Sequence, residues 1–157
     1  MSFRICGLSP EPFVDLMDLD DAALTARGIE RIVADEPHSA PCRVSLQDAE
    51  PGERLLLLSY EHQPANSPFH ATGPIFVREA ALRSSDRVCV DDVPPVIQRR
   101  TISVRAYDRD AMMIEGELVE GTELAPLLER WFERPEIDVV HLHYARRGCF
   151  AARAERV

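Results

Sequence analysis

Arg100-Thr101-Ile102-Ser103-Val104-Arg105-Ala106-Tyr107 alternates in polarity along its length. Ile102, Val104 and Ala106 fall on one face, Thr101, Ser103 and Arg105 on the other, the pattern of a strand with one buried side. Asp108-Arg109-Asp110 then turns the chain into residues 111–119, so the segment predicts a β-hairpin. Gly121-Thr122 introduces a helix in which Leu124, Leu127, Leu128 and Trp131 recur at i, i+3, i+4 and i+7, one apolar stripe, and Pro135 ends it. Residues 137–144, the turn 145–148 and residues 149–155 read as a closing hairpin.

The N-terminal half reads the same way. Residues 3–8 form a strand, and Ser9-Pro10 opens a short helix through Phe13, Leu16 and Met17. Asp20 or Asp21 caps a helical turn over 22–27 that Gly28 ends, and 29–33 is a strand. Ala49-Glu50-Pro51-Gly52-Glu53 is a turn by composition, after which 54–61 is a strand. Its run Leu55-Leu56-Leu57-Leu58 predicts burial on both faces. Residues 63–72 read as a loop, 73–78 as a strand and 80–84 as a helical turn. Strands outnumber helices and most connections are hairpin-like. The expectation is α+β: a single domain over 1–157, mainly antiparallel β-sheet with two or three short helices packed on it.

Composition narrows the function. The 157 residues carry a net charge of -9, which speaks against nucleic-acid partners and anionic membrane surfaces. No apolar run is long enough for a membrane span, and the N-terminus lacks a signal-peptide core, so the expected location is cytoplasmic. All 18 basic residues are arginine. Lysine Schiff bases, pyridoxal-phosphate lysines and P-loop lysines are therefore excluded, and any anion must be held by arginine, backbone N–H or protonated histidine. Cys6, Cys42, Cys89 and Cys149 form no C-x-x-C pair and read as reduced, buried thiols; Cys42 beside Arg43 is the candidate for a reactive one. Neither a G-x-S-x-G elbow nor a glycine-rich phosphate loop occurs.

The stretch from Pro41 to Glu79 carries most of the candidate chemistry. If its loop folds back, His62 and His70 converge with Arg43, Tyr60 and Arg78 at a pocket rim: two arginine clamps, an orienting hydroxyl and two proton-transfer groups. The Arg146-Arg147 pair stands with Arg43 and Arg78 as a candidate for holding an anion; the plainer alternative is exposed loop histidines and surface ion pairs. His141-x-His143 is the nearest thing to a metal signature, since i and i+2 share a strand face. The sequence supplies no third ligand nearby, so the expectation is a polar outer face, no metal and no cofactor.

Pro41-Cys42-Arg43, Asp48 to Glu53, Leu57-Leu58-Ser59-Tyr60, Ser67-Pro68, Gly73-Pro74-Ile75-Phe76-Val77 and Ala145-Arg146-Arg147-Gly148-Cys149-Phe150 together resemble a family of small bacterial proteins known only as a domain of unknown function. Phe69 stands where that family often has tyrosine, and Arg78 where it has histidine. The resemblance implies a bacterial single-domain protein and no particular activity. Three readings follow: a binder of a small anionic metabolite, an enzyme using His62 or His70 as general acid–base, and a non-catalytic module forming a homodimer along an exposed strand.

Overall fold

The computed structural model describes residues 1–84 and 87–157. Among them, nine strands form two antiparallel sheets. The larger contains β1 (Phe3–Cys6), β5 (Val88–Val90), β6 (Thr101–Tyr107), β7 (Met113–Glu120), β8 (Val139–Tyr144) and β9 (Phe150–Arg156), in the order β5-β1-β9-β8-β6-β7. The smaller is β2 (Glu30–Val33), β3 (Arg54–Gln63) and β4 (Ala71–Arg78) in chain order. The α-helices are α1 (Asp21–Ala26), α2 (Pro95–Gln98) and α3 (Leu124–Phe132), supplemented by 3-10 turns, two of which cover Glu11–Asp18 and Glu79–Arg83. The chain is thus one α+β domain of mainly antiparallel sheet, and no helix among the described residues is long and apolar enough to cross a membrane.

The 102–106 alternation does what its pattern requires. Ile102, Val104 and Ala106 are fully buried against a core shared with Val140, Leu142, Ala152 and Ala154. The α3 stripe of Leu124, Leu127, Leu128 and Trp131 closes that core from one side. Burying each such side chain contributes about 1.5–3 kcal/mol. Gly121 is required where the chain enters α3, because a Cβ there would lie 2.0 Å from the Ile97 carbonyl oxygen. A second core joins Phe13, Leu16 and Leu24 to Leu56, Leu58, Ile75 and Val77 of the smaller sheet. Asp20 caps α1 by accepting the Ala23 N–H at 2.8 Å, and Gly28 follows with φ +71°.

Several boundaries differ from the sequence reading. β3 runs two residues further and takes in His62 and Gln63, while β4 begins at Ala71, which shortens the expected loop. β5 and α2 are additional; each is too short for a periodic pattern to show. The largest correction concerns β8, whose six residues are all buried. It lies inside the sheet between β9 and β6, with α3 over one face and the smaller sheet's His62 against the other. His141 and His143, expected on a polar outer face, are only 3% and 1% exposed.

Three ladder irregularities meet at that second face. The β3–β4 register slips between Glu61 and Gln63, leaving His62 unpaired. The β8–β9 register slips between Leu142 and His143, so that His143 faces Phe150. The β6–β7 register slips at Tyr107. Bulges concentrate beside functional sites because they re-aim a side chain without breaking the sheet.

Candidate functional site

The structure divides the five rim residues among separate places. Arg78 is fully engaged: Nε and Nη2 grip the Glu53 carboxylate, the closest contact 2.6 Å, and Nη1 donates to Gln47 at 2.9 Å and Ser45 at 3.3 Å. Glu53 is held below its ordinary carboxylate range chiefly by that guanidinium. Tyr60 packs on Phe13 with ring centroids 5.9 Å apart, and burial raises its pKa. His70 is exposed and bonded to Glu61. The convergence of Arg43, Tyr60, His62, His70 and Arg78 at one rim does not occur. Cys42 is fully buried, its Sγ accepting the N–H groups of Arg78 and Ser45.

Arg43 and His62 each belong to a site whose other members come from distant sequence. Arg43 is 3% exposed. Its Nε donates to the Phe150 carbonyl at 2.7 Å and Nη1 to the Pro41 carbonyl. Its guanidinium carbon lies 5.0 Å from the Tyr144 ring centroid and 5.9 Å from that of Phe76. No carboxylate pairs with it among the described residues, and burial lowers its pKa. It lines a cleft of about 830 Å³ together with Arg99, Arg100, Arg146 and Arg147. The nearby acids are Glu36 on the wall and Asp48 behind it, which bonds Arg99, Arg100 and His38. Three guanidinium charges are left locally uncompensated on a chain of net charge -9.

Tyr144 supplies the cleft's neutral donor. Its hydroxyl is buried and makes no hydrogen bond, and burial pushes its pKa up to about 12, against the pull of Arg43 and Arg100. The phenol therefore stays protonated at neutral pH and can give its proton to an acceptor. Arg146 and Arg147 sit on the exposed β8–β9 turn, pair with no carboxylate among the described residues, and end on Gly148 with φ +77°.

His62, His141 and His143 form the other group. One nitrogen from each ring lies within 4.8 Å of the other two. Phe150 stacks on His62 at 5.1 Å and 7° and meets His141 and His143 edge-on, and Tyr107 lies 4.9 Å from His141. Burial, then the neighbouring His143 and His62, draws the His141 pKa down to about 3. Burial likewise draws His143 to about 4, against the hydrogen bond it donates to the Gly148 carbonyl and with Arg105 adding to the effect. His62 is lowered by burial and then by Arg105. All three rings are neutral near pH 7.

A family model described as "Protein of unknown function (DUF1203)" matches residues 39–156. The chain belongs to the DUF1203 family. No curated protein and no solved structure matches it. The matched span holds all five cleft arginines, Tyr144 and the three clustered histidines. Sequence reasoning singled out the Arg146-Arg147 doublet but passed over Arg99-Arg100, an equal signal at the start of β6, and Tyr144 at the end of β8. The third group missing near His143 is His62, 81 positions upstream of it in sequence, where only the fold joins them.

Proposed function

We propose that this DUF1203 chain binds a small multivalent anion, a phosphate- or polycarboxylate-bearing metabolite, in the arginine cleft. Arg43 carries the reading. A buried guanidinium is normally matched by a carboxylate, because an uncompensated charge away from water costs several kcal/mol. Arg43 has two backbone carbonyls and two aromatic faces instead, which steady it without cancelling its charge. An anionic ligand supplies the missing countercharge, Arg146 and Arg147 reach it from the exposed turn, and the Tyr144 hydroxyl donates to it. In a lysine-free protein the planar forks of arginine favour paired oxygens. A bacterial cytoplasmic setting accords with this reading and with four free cysteines.

Thermal denaturation with inorganic phosphate, pyrophosphate and succinate tests the proposal. A ligand at one hundred times its Kd stabilises the folded state by about 2.7 kcal/mol, which raises Tm by roughly 5–10 °C for a domain of this size. The rise is expected for wild type and lost in the double variant Arg146→Ala/Arg147→Ala, whose exposed side chains can go without unfolding the chain. No rise with any of the three anions, or an equal rise in the double variant, overturns the reading.

A further inference from the structure

We propose that His62, His141 and His143 bind one divalent transition-metal ion, of the zinc class, between the two sheets. The inference goes beyond the anion cleft and does not depend on it. It starts from His143. Its Nδ1 lies 3.0 Å from the Gly148 carbonyl oxygen. A carbonyl only accepts, so Nδ1 carries the proton and Nε2 holds the lone pair. That Nε2 is buried and has no partner. A backbone carbonyl that fixes the tautomer and leaves the far nitrogen bare is how proteins orient a ligating histidine.

The other two rings repeat the observation. Nδ1 of His141 and Nδ1 of His62 are also buried without a hydrogen bond. Each of the three rings thus carries a buried nitrogen without a partner, and each places one nitrogen within 4.8 Å of the other two, a shared polar need that a cation satisfies at once. A tetrahedral site with bonds of about 2.1 Å separates its nitrogens by about 3.4 Å, a closure that rotation of the imidazoles supplies. Imidazole-only ligation favours zinc, copper, nickel or iron over calcium and magnesium, which require oxygen. Three protein ligands leave a fourth position, and His62, the one partly exposed member, marks the edge nearest solvent. Arg105 is the opposing charge common to the three rings, disfavouring a positive ring on His62, His141 and His143, with Arg153 acting as well at His141 and Arg43 at His143. It therefore favours an anionic fourth ligand such as hydroxide.

The test is titration of tag-free, chelator-dialysed full-length protein with zinc chloride and cobalt chloride, in buffer free of multivalent anions. Stoichiometry is read by elemental analysis and geometry by the visible spectrum of bound Co²⁺. One equivalent per chain and a tetrahedral-type cobalt spectrum are expected. His62→Asn should fold, since the side chain is partly exposed, and should weaken binding by more than about 100-fold. His70→Ala, outside the cluster, and Arg146→Ala/Arg147→Ala, which removes the anion site, should bind metal as wild type does. Less than one equivalent bound by wild type, or His62→Asn binding as tightly as wild type, overturns the proposal.

Discussion

Arg78 and Arg43 lie on either side of β3 in sequence and serve opposite ends. Arg78 bonds Glu53, Gln47 and Ser45, so its charge is cancelled and it fastens β4 to the turn at 49–53. Arg43 is deeper, at 3% exposure, yet meets only carbonyl groups and ring faces. Depth therefore does not distinguish the two arginines. Countercharge does: the satisfied guanidinium stabilises the fold, and the uncompensated one is the group for which we propose a ligand. The histidines divide likewise, His70 satisfied by Glu61 and His62 left with a buried bare nitrogen.

The strongest way to break this contrast is to remove charge from the cleft. Arg146→Ala/Arg147→Ala should lower affinity for pyrophosphate by about 100-fold or more, at about 1.5–3 kcal/mol per charged hydrogen bond. Its unfolding free energy should move by less than about 0.5 kcal/mol, read by urea denaturation. Arg78→Ala should do the reverse, costing about 1–2 kcal/mol of stability for a bidentate, partly buried pair with anion affinity unchanged.

Acid sharpens the comparison from the carboxylate side. Burial of Asp48 works against its ionisation, but Arg100, Arg99 and His38 outweigh it and hold the folded-state pKa below the ordinary 3.8. A depressed carboxylate pKa contributes stability that is fully present above the unfolded-state value and fades as pH falls through it toward the folded one. Stability should therefore drop from about pH 4 downward, and Asp48→Asn should flatten that drop while lowering stability at pH 7, as followed by thermal melts across pH.

The smallest effect has the most particular sign. Tyr144→Phe removes a buried hydroxyl that has no partner, so the ligand-free protein should gain up to about 1 kcal/mol while phosphate affinity falls several-fold. A stability gain paired with a binding loss marks a group kept for a ligand, and calorimetry with and without phosphate reads both.

The fold was largely legible because its signals are local. The alternation at 102–106 and the 124–131 stripe each depend on residues within one element, and both appear as read. The sites were legible only in part, because which sheet covers a strand's second face is a long-range fact. His141-x-His143 shows two rings on one side of β8, but nothing nearby in sequence says that β3 brings His62 against them. A register slip at residue 62 also leaves no mark in composition. Arg43 and Arg78 look alike in sequence, and only the placement of Glu53 and Gln47 tells them apart.

Isothermal titration of pyrophosphate into metal-free protein, run in parallel on wild type, Arg78→Ala and Arg146→Ala/Arg147→Ala, tests the central claim most directly. One site per chain in wild type, retained in Arg78→Ala and lost in the double variant, is the predicted result. Absence of binding to wild type, or binding that disappears with Arg78 and survives the double substitution, would contradict it.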